Sequence, residues 1–178
     1  LCDKEEIGSV GATGMNSCLF ENVAAELINC CVADYSDIVR RRALRASKML
    51  SADVNAIHDP NYPEVSSPND NMAKLNHGLV LTKYVGAGGK SGSNDASAEF
   101  MAEVRRIFDD AKVVWQTGEI GKVDQGGGGT IAFMLARYGM DVVDCGPALF
   151  SMHAPWEGAG KLDIFMAYRG YHAFYKSK

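Results

Sequence analysis

Apolar residues recur along this chain with two different spacings, and the alternation between them predicts the order of the elements. Leu19, Val23, Leu27 and Cys30 make one stripe at helical spacing, with Glu21 near the amino end. Ser36-Asp37 reads as an N-cap before a second helix, whose Arg40, Arg41, Arg42 and Arg45 make a basic surface, solvated or contacting another subunit. Lys48 to Asp53 (KMLSAD) predicts a buried strand that delivers Asp53 to its end. From Val54 to His77 the composition turns to Pro, Asn and Ser, which predicts a long ordered loop or lid. Leu79 to Tyr84 reads as a strand, and residues 86–93 (GAGGKSGS) as a flexible glycine-rich stretch.

Further on, Ser93-Asn94-Asp95 is expected to cap a helix reaching about Asp109, with Phe100, Val104 and Ile107 inward. Val113 to Gln116 follows as a strand. The glycines at 126–129 with Thr130 open a helix that Gly139 stops. Met140 to Cys145 is another apolar strand, and a last helix covers about 159–175. Alternating strands and helices favour an α/β fold, a three-layer α/β/α sandwich around a central mixed sheet.

A length of 178 residues suits one domain with a sizeable core, and a 47% hydrophobic, 22% charged composition is that of a globular protein. The net charge of −4 provides no basic face for nucleic acid or an anionic membrane. No apolar run approaches the roughly 20 residues of a membrane span, and no signal peptide is recognisable. The five cysteines are odd in number and lack CxxC spacing, so they read as reduced, mostly buried thiols of a cytoplasmic protein. The opening Leu-Cys-Asp, without Met, suggests a fragment incomplete at its N-terminus.

Hard carboxylate oxygens and imidazole nitrogen occur together after three apolar runs: Glu5-Glu6 in DKEEIGS, Asp53 in SAD, and His153 in SMHAPWE. Such donors suit zinc, cobalt or manganese, and the ends of sheet strands are where α/β proteins place ligands. With Leu1 and Cys2 taken as the end of a strand, Glu5 and Glu6 stand at its tip. The glycine-rich stretches match neither a Walker loop nor a dinucleotide fingerprint. Gly126–Thr130 stays open as a helix start for a phosphate-binding α/β module, with glycines placed for close backbone approach as the simpler account.

DKEEIGS, SAD with its histidine-bearing loop, LTKYVGAGGKSGSNDA and SMHAPWE, in this order, resemble the aspartyl aminopeptidase family of dinuclear zinc metallopeptidases. The resemblance covers essentially the whole chain and is nearest to bacterial members. It implies a zinc-peptidase-like fold of which residues 1–178 are the C-terminal portion of the catalytic domain. By motif, it implies Glu5 as general base, Glu6 and His153 as ligands of one metal, and Asp53 as terminal ligand of the other. Lys83, Tyr84 and the glycine-rich loop after them are implied to line the substrate pocket, with His58 a further substrate-binding residue on a loop that reaches a neighbouring subunit's active site. Two zinc ions per complete subunit, peptide substrates and a dodecameric homo-oligomer follow from the same resemblance. The family's upstream His, bridging Asp and inserted dimerisation domain have no counterpart here, so this chain alone is expected to be inactive without the missing N-terminal part. A non-catalytic subunit is the rival reading.

Adjacent residues on an extended strand point to opposite sides. Glu6 can therefore hold metal while Glu5 reaches a water only if the backbone turns at this point, which Gly8 and Ser9 permit. His77 and His172 carry no motif and read as structural or surface residues.

Overall fold

The computed structural model describes residues 2–66, 71–88, 91–122 and 127–177. The chain divides into two compact units, Leu1–Lys48 with Met134–Asp141, and Met49–Phe133 with Val142–Lys178.

In the first unit, α1 (Leu19–Cys31) and α2 (Asp37–Arg45) follow a leading turn. The Ser36 hydroxyl accepts the Val39 N–H, so α2 is capped as its sequence predicts. Arg40 joins the helices: its guanidinium donates to Glu21 on α1 at 2.8 Å and to Asp37 at 2.6 Å. The Tyr138 hydroxyl donates to the other Glu21 oxygen at 2.6 Å. That hydroxyl and Arg40 hold the Glu21 carboxyl below the usual range. The apolar stripe of α1 does not pack inward. Leu19, Val23 and Leu27 are 45, 49 and 63% exposed, and the helix has no buried residue. Periodicity identifies the apolar face of a helix, but burial needs a partner surface. Nor are the thiols mostly buried: Cys18, Cys30 and Cys31 are exposed, Cys2 is half-buried and only Cys145 is buried.

Along the chain then come β1 (Lys48–Ser51), β2 (Asn55–Ala56), β3 (Leu79–Thr82), β4 (Tyr84–Ala87), β5 (Ser91–Asp95), α3 (Ala98–Asp110) and β6 (Trp115–Thr117). The five-residue α4 (Ala132–Ala136), β7 (Asp141–Gly146), β8 (Ala148–Phe150), β9 (Gly158–Ala159) and α5 (Lys161–Lys176) complete the chain. The main sheet runs β1-β7-β3-β6, with β3 parallel to β6 and antiparallel to β7, a mixed α/β sheet as the alternation predicts. Parallel pairing of β3 with β6 needs a crossover, and α3 provides it. All four β3 residues are buried, as expected of a strand covered on both faces. Leu79 and Leu81 join Phe100, Val104, Phe108, Val143 and Met166 in the core beneath α3 and α5, while Val80 faces Ala73 and Ala148.

Asp163 on α5 is fully buried and accepts the backbone N–H groups of Asn76 and Gly78, each at 2.7 Å. This ties the entry of β3 to α5. Several boundaries differ from the sequence reading. Ser97, not Ser93–Asp95, caps α3, because residues 91–95 pair with β4 in a hairpin. The expected flexible stretch is thus largely strand, although Gly89 and Lys90 lie outside the described residues. The long loop after Asp53 contains β2, a 3-10 turn at Pro63–Val65, and a parallel bridge between Ile57 and Ala73.

Candidate metal centre

Glu5 and Glu6 lie not at the end of a strand but in a compact turn of the first unit. Lys4 and Ser9 both adopt positive φ, 57° and 55°. The N–H groups of Gly8 and Ser9 return to the carbonyls of Glu5 and Lys4 at 2.9 and 2.7 Å. Ser9 is buried, and Asn16 closes the loop by donating its side-chain amide to the Gly8 carbonyl. Nearby, a Cβ on Gly14 would stand 2.1 Å from the Ser9 carbonyl oxygen, so only glycine fits that approach. Both glutamates sit on the exposed outside of this turn. The chain therefore turns at this point, as Gly8 and Ser9 permit.

In the second unit Asp53 is half-buried, two residues beyond β1. Its carboxylate accepts its neighbour's N–H, that of Val54, at 2.8 Å. Strand β7 fixes the Asp53 backbone from the other side: a Cβ on Gly146 would lie 1.8 Å from the Asp53 carbonyl oxygen. Across the sheet at this level runs a row of buried polar side chains, Ser51 on β1, Asp144 on β7 and Thr82 on β3, with Thr82 in register with Asp144. Asn55 joins it by donating to the Thr82 hydroxyl at 2.8 Å.

This row is incompletely satisfied. The Ser51 hydroxyl oxygen, the Asn55 amide oxygen and both Asp144 carboxylate oxygens are buried without a hydrogen-bond partner. Burial pushes the Asp144 carboxyl up to about 6, and the charge of Asp53 adds to the shift. The Ser51 and Thr130 hydroxyls lie close enough to offset part of it, but neither meets the carboxylate in hydrogen-bonding geometry. Sequence reading passed over Asp144 as part of an apolar strand. The signal was a lone acid inside VVDCG, where a buried strand otherwise holds no charge.

His153 follows β8 in a strained turn, with φ of 67° at His153 and 55° at Ser151. Its backbone N–H donates to Glu157 at 2.6 Å. Because β2 and β8 run parallel, Asp53, which leads into β2, and His153, which follows β8, stand at opposite ends of this strand pair. A cavity of about 920 Å³ opens beside His153, bordered by Ile57, Asp59, Met72, Leu149 and Met152. His58 bonds Ser66 at 2.7 Å, within the loop that supplies another wall of that cavity. Lys83 is half-exposed and pairs with Asp95, and Tyr84 begins β4 opposite the same residue. His77 bonds the Leu75 carbonyl and His172 stacks on Tyr168, local roles both.

The donor types fit a divalent metal: carboxylate and imidazole, with an uncompensated buried carboxylate behind Asp53 that a cation would balance. Among the described residues no three His, Cys, Asp or Glu side chains converge on one point. A phosphate at the glycine-rich helix start fits less well. Gly126 lies outside the described residues, α4 is a single short turn, and the Thr130 hydroxyl is occupied by the Ala132 N–H at 3.2 Å. Gly127 serves close backbone approach, since its Cβ would come within 2.9 Å of the Ile120 and Gly86 carbonyl oxygens.

Comparison with known proteins agrees with this donor chemistry. The chain is 56% identical over 174 residues to a probable M18 family aminopeptidase 1 of Clostridium acetobutylicum, covering 98% of this chain and 37% of that protein. It superimposes on the crystal structure of the M18 aminopeptidase from Thermotoga maritima with a TM-score of 0.89 and 42% identity, over 97% of this chain and 38% of that one. The Saccharomyces cerevisiae mApe1 dodecamer matches with a TM-score of 0.76 and 28% identity, over 99% of this chain and 37% of that one. The chain thus spans little more than a third of the length of these relatives. Matched over residues 1–175 by the model for the aminopeptidase I zinc metalloproteases, the chain belongs to the M18 family.

Proposed function

We propose that the complete polypeptide containing this chain is a metal-dependent aminopeptidase that removes the N-terminal residue of peptides. One observation carries the reading: in a chain of a zinc metalloprotease family, His153 borders a peptide-sized cavity. Glu6, Asp53 and His153 are the ligands this chain contributes, to two zinc ions per complete subunit, with cobalt or manganese as alternatives. When bound, such metals polarise a carbonyl and acidify water. Glu5 takes a proton from the attacking water as its oxygen bonds to the scissile carbonyl carbon. It then hands that proton to the amine as the C–N bond breaks. A carboxylate free to move a proton must not itself be a ligand, and the turn at residues 4–9 lets Glu5 and Glu6 diverge.

Lys83 and Tyr84 are the proposed substrate contacts, and His58 positions the loop beside the cavity. An acidic N-terminal residue is the preference Lys83 supports, although such a substrate would have to compete with Asp95 for its ammonium. Assembly into a homo-oligomer, a dodecamer as in the yeast relative, and a cytoplasmic location belong to the same proposal. No helix among the described residues is long and apolar enough to cross a membrane.

The test is Glu5→Gln in the complete enzyme, which should abolish turnover while metal content stays near two ions per subunit. Loss of both metals in that variant would refute the division of labour. Absence of any bound metal from the wild-type protein would favour the non-catalytic subunit or the phosphate-binding module instead.

A further inference from the structure

We infer that Asp144 is a positioning residue for the metal held by Asp53, the buried counter-charge of that ion. This rests on the metallopeptidase reading above.

Asp144 is 3% exposed, in the middle of the main sheet, and both its oxygens lack hydrogen-bond partners. A carboxylate in that position, without donors or a cation, is among the least favourable arrangements a protein interior can hold. The residues that act on it are two hydroxyls and another acid, Asp53. No lysine, arginine or histidine pairs with Asp144 or Asp53 among the described residues. The Asn55 amide oxygen left over in the row is a further acceptor, and the hydroxyls of Ser51 and Thr130 offset only part of the cost of burial.

What the arrangement lacks is positive charge, and the nearest place to supply it is Asp53. Gly146, two residues along β7 from Asp144, lets the Asp53 backbone pack directly against the strand that carries Asp144. A divalent ion on Asp53 is attracted by both negative charges, while the metal-free protein holds two acids that repel each other. Supporting groups behind metal ligands tune affinity in this way, and losing one costs about ten- to a hundredfold. Asp144 is thus destabilising without metal and stabilising with it.

That reversal of sign provides the test. In the complete polypeptide, Asp144→Asn should weaken binding of one of the two zinc ions about ten- to a hundredfold, read by competition with a chromophoric chelator. The metal-free variant should melt no lower than the metal-free wild type. Asp144→Leu, close in volume and without polar atoms, should behave alike. Unchanged zinc affinity would overturn the inference, as would an equal loss of stability in metal-free and zinc-loaded forms. Failure of both variants to fold would also overturn it, since removing an uncompensated charge should not unfold the metal-free protein. Asp53→Asn separates this inference from the reading beneath it. If Asp53→Asn leaves zinc binding untouched, the metal site itself is wrong. If it weakens binding while Asp144→Asn does not, only the role of Asp144 fails.

Discussion

Gly146→Ala tests whether the sheet sets the position of Asp53. The added Cβ would lie 1.8 Å from the Asp53 carbonyl oxygen, 2.6 Å from its carbonyl carbon and 3.2 Å from the Val54 Cα. A carbon and an oxygen come no closer than about 3.3 Å without strain, so the Asp53 backbone must retreat by about 1.5 Å. All three obstacles are backbone atoms, and no side-chain rotation can relieve them. Misplacement of about 1 Å costs on the order of 100-fold in rate, and an overpacked core about 1–3 kcal/mol. We therefore expect the variant enzyme to lose about 100-fold or more in kcat/KM, to bind less zinc and to unfold at lower denaturant. Gly158→Ala is the control, because its Cβ would meet nothing nearer than the Phe150 Cβ at 3.8 Å. Wild-type kcat/KM and zinc content in Gly146→Ala would show that the approach of β7 does not position Asp53.

Other consequences concern the buried acid, the strand anchor and the substrate contact. The Asp144 carboxyl titrates near 6 in the fold against an ordinary 3.8, so the folded state binds its proton more tightly than the unfolded state. Its contribution to stability is therefore full below about pH 4 and is lost as pH rises through about 6. It amounts to ~3 kcal/mol, at about 1.4 kcal/mol per pH unit. Urea unfolding of metal-free protein at pH 4.5 and 7 should show this loss in the wild type and not in Asp144→Asn. Asp163→Ala strands the Asn76 and Gly78 N–H groups in a buried position and should cost about 3 kcal/mol by chemical denaturation. Asp163→Asn, which keeps an acceptor, should cost less. Lys83→Ala breaks an exposed ion pair and should change stability by less than about 1 kcal/mol. If Lys83 reads acidic substrates, its removal raises KM for an N-terminal Asp peptide but not for a Leu peptide. Equal effects on both would remove Lys83 from specificity.

Much of this protein was legible in its residue order. The α2 cap, the inward face of α3 and strands β3, β6 and β7 follow from local spacing, because period and capping are properties of neighbouring residues. The four motifs that carry the family likeness were legible for the same reason, since each is a short contiguous string. Boundaries failed where pairing overrode local preference. Ser93–Asp95 has the chemistry of a helix cap, yet it is strand because β4 lies beside it.

By itself, the sequence determined which residues bring metal-binding and proton-moving chemistry and that strands and helices alternate. Only the tertiary structure decided what surrounds them. The Leu19–Leu27 stripe is apolar by periodicity but exposed in the fold, because burial is set by what lies opposite. Asp144 read as one polar residue in an apolar strand. Three strands brought together make it an uncompensated charge next to Asp53, since desolvation and Coulomb energy depend on distance in space and not along the chain.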